Sequence, residues 1–139
     1  MNRILLDSDV ILDLFFDRKP FSDDSAVIFR LCHQQKIKAF VTPVIISNVY
    51  YLLRKVSTQK KVKEKLNLLL SISNVLIVDK SIILQALNSN FNDFEDALQN
   101  YSAENNKSIT AIITRNVKDY KNSNILVLTP KSYIKSLLN

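Results

Sequence analysis

Five short apolar runs punctuate this chain: Ile4-Leu5-Leu6, Ala39-Phe40-Val41, Val75 to Val78, Ala111-Ile112-Ile113 and Ile125 to Leu128. None is long enough for a helix, and helix-period stretches fill most of the intervals. Strands that read as continuous apolar runs are covered on both faces, so they point to a parallel sheet between helices. The expected architecture is α/β: a single domain over residues 1–139 with a central, mainly parallel sheet of about four to five short strands flanked by helices. In such sheets the ligand crevice lies outside the carboxyl ends of the strands.

The helices carry their own punctuation. One is expected from Asp9 to Phe16 with Ser8 as N-cap. A second is expected to follow Ser22 and run to about Gln35, with Asp23 and Asp24 in its first turn where the helix dipole favours acids. Thr42 caps a third that has Pro43 at its first position. Others are expected over Thr58 to Ser71, over Ser81 to Leu87, from Asn92 or Asp93 to about Asn105, and over Pro130 to Leu138. Glycine is absent, so backbone positions with positive φ fall to Asn or Asp. Asn88, Asn90, Asn105, Asn106, Asn122 and Asn124 sit where loops are expected.

Two stretches set carboxylates at these boundaries: Leu5-Leu6-Asp7-Ser8-Asp9 and Asp93-Phe94-Glu95-Asp96-Ala97-Leu98. Asp7 follows a strand and precedes a helix, so it is either a metal ligand or a cap. Asp93 and Asp96 share one helix face at i, i+3, which fits a metal site and a capping pair equally. Asp119 follows the strand 111–113 within Thr114-Arg115-Asn116-Val117-Lys118-Asp119-Tyr120, where it is a ligand or a turn residue. Asn116 can offer a side-chain oxygen. Asp9 and Asp13 read as decoration of the first turns of helix one. Oxygen ligands without a His or Cys cluster favour Mg²⁺ or Mn²⁺ over Zn²⁺.

Charge supports a polyanionic partner. Nineteen Lys and Arg face thirteen Asp and Glu, a net charge of +6. If several acids gather in one site, the remaining surface is more basic still, which steers polyanions. The bland reading of the same charge is solubility, and the run Lys60, Lys61, Lys63, Lys65 reads either as a solvated helix face or as an RNA-contacting one. The single cysteine, Cys32, forbids an internal disulfide and fits a reducing cytoplasm. No apolar stretch approaches the ~18 residues that span a bilayer, and no membrane association is expected. Without glycine there is no Gly-rich phosphate loop.

Read together, these motifs resemble the PIN domain family of small metal-dependent ribonucleases, including the VapC-like toxins. Leu5-Leu6-Asp7-Ser8-Asp9-Val10 is similar to the family's opening motif, Asp96-Ala97-Leu98 to its third acidic motif, and Ile113 to Tyr120 to its fourth. The chain departs from the family at two places. Asn48 stands where a Glu is usual, on the helix after the second strand, and Asn116 stands where an Asp is frequent. Each lost carboxylate removes an attraction for the cation. The resemblance implies that Asp7, Asp96 and Asp119 are catalytic and hold Mg²⁺ or Mn²⁺. Asp93 is a further metal residue in that reading, and Asn116, Asn48, Ser8 and Thr114 support the site.

The implied function is an endoribonuclease acting on an RNA substrate, as the toxin of a toxin–antitoxin pair. A homodimer and a cognate antitoxin protein that blocks the cleft are implied with it. A catalytically weak PIN-fold module that binds RNA or protein is the alternative, and a metal phosphohydrolase of small substrates is a third reading. At Asn48 the two views of the site diverge. If the missing carboxylate limits metal affinity, Asn48→Glu tightens binding; if the site works through Asp93 or Glu95, it does little or repels.

Overall fold

The protein is described here by a computed structural model covering residues 2–138. Its elements are β1 (Asn2–Leu6), α1 (Ser8–Phe15), α2 (Phe21–His33), β2 (Ile37–Val41), α3 (Pro43–Arg54), α4 (Gln59–Ser71) and β3 (Ser73–Val75), followed by α5 (Lys80–Leu87), α6 (Phe94–Glu104), β4 (Ala111–Ile113), a 3-10 turn (Val117–Tyr120), β5 (Leu126–Leu128) and α7 (Pro130–Leu137). The five strands form one sheet in the order β3-β2-β1-β4-β5, and every pairing is parallel. The expected α/β architecture is therefore present.

β1 lies at the centre of the sheet because both its faces are apolar. Ile4, Leu5 and Leu6 are almost wholly buried, as are their neighbours Ala39 and Val41 in β2 and Ile112 and Ile113 in β4. The main core continues into α1, α2, α3 and α4 through Val10, Ile11, Ile28, Ile45, Val49, Val62 and Leu69. Ile82, Ala86, Ala97 and Leu98 form a separate small core between α5 and α6. The chain runs outward from β1 through β2 to β3, then crosses to β4 on the other side. That switch opens a crevice between the carboxyl ends of β1 and β4.

Several local expectations are corrected. Ser8 is the first residue of α1, and Asp7 is its N-cap, in extended backbone at φ −73° and ψ 158°. Asp7 alone separates strand from helix, so the residue that ends the strand is also the cap. Ser22 lies inside α2, where its hydroxyl donates to Asp17 Oδ1 at 2.9 Å, and Pro20 precedes the helix without a side-chain cap. α5 begins at Lys80, capped by Asp79. β3 spans Ser73–Val75 rather than 75–78, because it is an edge strand placed by register against Ala39 to Val41. Ile77 is correspondingly 82% exposed.

Positive φ among the described residues falls at Asp17 and Gln35, not at the loop asparagines. Each is the left-handed residue after a helix. Arg18 N donates to Asp13 O and Asp17 N to Leu14 O, while Lys36 N donates to Leu31 O and Gln35 N to Cys32 O, the Schellman pattern. No helix among the described residues is long and apolar enough to cross a membrane.

Candidate active site

Asp7 is fixed from three directions. Its backbone N–H extends the sheet by donating to Ile113 O at 3.0 Å. Its Oδ1 accepts from Ser8 N at 2.7 Å as the helix cap. Its Oδ2 accepts from Thr114 Oγ1 at 2.8 Å and from Tyr120 OH at 3.3 Å. Burial raises its pKa, and the charge of Asp119 adds to that, while the bonds from Thr114, Ser8 and Tyr120 pull the other way. A carboxylate so held resists rotation.

Asp9 is more than decoration. Its Oδ2 accepts from Arg115 N and from Asn116 Nδ2, both at 3.0 Å, and more weakly from Thr114 Oγ1 at 3.3 Å. Its Oδ1 is buried with no partner. Burial and the neighbouring Asp7 push its pKa up to about 6. One turn further along α1, Asp13 is fully buried and paired with Arg115. The start of α1 is thus bound to the end of β4 at two levels.

The i, i+3 pair on α6 divides its roles. Asp93 caps the helix by accepting from Asp96 N at 3.0 Å. The Asp96 carboxylate instead approaches Tyr120 OH at 3.4 Å. Burial, followed by the charges of Asp7, Asp93 and Asp119, raises its pKa to about 7. Asp119 sits exposed on the 3-10 turn beyond β4, close enough to perturb both Asp7 and Asp96. Asn116 uses its amide N–H to hold Asp9, which leaves its carbonyl oxygen as the group it can present to a cation.

Tyr120 joins these elements. Its buried hydroxyl lies 2.8 Å from Gln99 Oε1 and within 3.4 Å of the Asp7 and Asp96 carboxylates, and Phe91 packs edge-on to its ring at 6.1 Å. Burial and those two acids raise its pKa, so it stays a neutral donor. Asn48 reaches the same space from α3 and donates to Glu95 Oε2 at 2.7 Å.

Together these groups line a cleft of about 560 Å³ that takes in Asp7, Asp9, Asn48, Glu95, Asp96 and Asp119. A second hollow of about 380 Å³ shares Asp93, Asp96 and Asp119 as its wall and adds Lys118 and Lys121. Arg18 stands on the rim of the first. The cleft therefore brings together Asp7, Ser8, Asn48, Asp93, Asp96, Asn116 and Asp119, with Thr114 buried behind Asp7. Sequence reasoning missed Asp9, Tyr120, Gln99 and the Asn48–Glu95 contact. The i, i+4 spacing of Asp9 and Asp13 was the one available signal.

The donor set fits a hard divalent cation. Carboxylates that raise one another's pKa are relieved by positive charge, and Asp9 keeps a free buried oxygen. Among the described residues no three His, Cys, Asp or Glu side chains are grouped tightly enough to cage an ion alone. An ion bound in this cleft would need waters to complete its coordination, as Mg²⁺ usually keeps.

Comparison with known proteins speaks to the family and the fold. A family model described as PIN domain matches residues 3–118. The ribonuclease VapC1 of Aquifex aeolicus (strain VF5) is 30% identical over 135 residues, covering 94% of this chain and 92% of that protein. A toxin–antitoxin complex from Klebsiella pneumoniae aligns at a TM-score of 0.67 and 19% identity, over 91% of this chain and 97% of that one. VapBC-1 from nontypeable Haemophilus influenzae aligns at 0.66 and 13% identity, over 93% and 98%. At such identities the two structures speak for the fold alone.

Proposed function

The chain belongs to the PIN domain family, and on that premise we propose that it is a Mg²⁺- or Mn²⁺-dependent endoribonuclease, the toxin of a toxin–antitoxin pair. The observation that carries this reading is the meeting of Asp7, Asp9, Asp96 and Asp119 at the switch point between β1 and β4. Asp7, Asp96 and Asp119 would hold the ion, with Asp93 and Asn116 beside them. A bound divalent ion lowers the pKa of a water and offsets charge on the scissile phosphate. Thr114, Ser8 N–H and Tyr120 keep Asp7 oriented, and Arg115 N and Asn116 do the same for Asp9.

Stability against pH tests the metal site. Burial and neighbouring acids push Asp9 up to about 6 and Asp96 up to about 7 in the fold, from the ordinary carboxylate value of 3.8. Between those limits the native state holds more protons than the unfolded chain. Their contribution is therefore fully present below the lower value and is lost as pH rises through the folded ones. The metal-free melting temperature is expected to fall between about pH 4 and about pH 7. Millimolar Mn²⁺ should reverse that fall, by about 2.7 kcal/mol at a hundredfold excess over Kd. A melting curve that ignores Mn²⁺ at the upper pH would remove the metal site from this reading.

Lys118 and Lys121 beside the acidic wall, with Arg18 also lining the cleft, suit a strand whose phosphates continue past it. RNA binding is expected to weaken steeply with salt. Replacing both lysines by alanine should reduce the slope of log K against log salt by about 1.4, since each single-strand phosphate contact contributes about 0.7. An unchanged slope would favour a small phosphoester substrate instead.

The same reading places the protein in the cytoplasm with a cognate antitoxin. Tyr51, 69% exposed, and Leu52 line the cleft and offer apolar area to a covering peptide. Exposed Leu84 and Leu87 on α5 suit a homodimer, to be checked by light scattering. The neutral Asn48 favours a second reading, a weakly catalytic binding module. RNA binding without cleavage at saturating Mn²⁺ would select it.

A further inference from the structure

The α3 wall of the cleft brings no charge of its own. From that wall the Asn48 Nδ2 donates to Glu95 Oε2 at 2.7 Å. Glu95 belongs to α6, forty-seven positions away and next to Asp96. Both residues line the cleft that holds Asp7, Asp96 and Asp119. Among the described residues Glu95 has no Lys, Arg or His within ion-pair distance. Its partner is a neutral amide, which fixes a carboxylate in place and leaves its charge intact. An ion pair would have offset that charge.

We propose that Glu95, positioned by Asn48, supplies the carboxylate that α3 lacks, facing the cation of this site directly or through a water. The charge has crossed the cleft from one helix to the other, and Asn48 has become the residue that orients it. The assignment rests on the metal-dependent reading above. Asn48→Glu alone then sets a second carboxylate against Glu95, so it is expected to weaken binding. A bland account also exists: Glu95 in the first turn of α6 favours the helix dipole, and its bond to Asn48 clasps two helices.

Glu95→Gln separates the two. The amide oxygen of Gln still accepts from Asn48, so a clasp survives while the charge is lost. Mn²⁺ binding is measured by titration calorimetry on the full chain for wild type, E95Q, N48E and the exchange N48E/E95Q, with metal-free melting temperature recorded for each. E95Q is expected to bind Mn²⁺ about tenfold more weakly, the lower end of the usual loss when a partner of a metal site is removed, with an unchanged metal-free melting temperature. N48E should also bind more weakly than wild type, and the exchange should bind more tightly than either single variant. Wild-type affinity in E95Q would overturn the assignment and leave only the clasp. An exchange variant no better than E95Q would overturn the transfer of charge between helices. Failure of the wild type itself to bind Mn²⁺ would instead overturn the metal-dependent reading on which the assignment rests.

Discussion

Asp7→Asn is expected to lower RNA cleavage by at least roughly 10²–10³-fold, the usual loss when one fixed electrostatic group leaves a reacting centre. The fold should persist. Asn keeps an oxygen for Ser8 N–H, and its NH₂ can donate to the hydroxyl oxygens of Thr114 and Tyr120 where the carboxylate accepted from them. Removing a buried charge that Asp119 repels also relieves the metal-free protein, so its melting temperature should hold or rise. Mn²⁺ should then stabilise the variant less than the wild type. Normal cleavage by Asp7→Asn would reduce Asp7 to a helix cap.

Arg115→Ala should show the opposite pattern, a large stability loss with a smaller change per folded molecule in cleavage. Arg115 Nε and Nη2 lie 2.5 and 3.0 Å from the two oxygens of Asp13, which is wholly buried. The guanidinium also lies over the Phe21 ring at 4.1 Å. Truncation leaves Asp13 with Arg18 at 3.4 Å, a more exposed and less well aligned partner. The expected cost is about 2–4 kcal/mol, discounted because Arg115 is partly exposed. Urea unfolding measures it. Arg115→Lys keeps the charge but loses both the paired fork and the stacking, so it should fall between. A cost below about 1 kcal/mol would mean that Arg18 alone satisfies Asp13.

The apolar runs at 4–6, 39–41 and 111–113 made the parallel sheet legible, because strands buried on both faces leave no polar alternation to misread. Asp7 and Asp119 were legible as candidates because they follow strands of such a sheet, and Asp96 because it opens a helix beside Asp93. The division of labour between Asp93 and Asp96 was not, since one spacing serves capping and ligation alike. Asp9 and Asp13 were under-read for a different reason. Val10, Ile11 and Leu12 between them are all buried, so α1 has no polar side on which to expect an acid. Tyr120 and the Asn48–Glu95 contact join residues at least twenty-one positions apart, and only tertiary packing creates them. The edge strand β3 slipped because pairing with β2 outweighed the apolarity of Val75 to Val78.

The span between Asp7 and its partners also bears on how the protein is made. Asp7 lies 107 positions before Thr114 and 113 before Tyr120. Translation delivers the N-terminal half first, and that half can pair β1 with β2 and β2 with β3 as it emerges. Beside β1 the place of β4 then stays empty, and Asp7 and Asp9 await the groups that orient them. The cleft of the proposed toxin is therefore incomplete until Thr114 and Tyr120 can pack against Asp7. Products ending before β4 carry Asp7 and Asp9 without Thr114, Asn116, Asp119 and Tyr120.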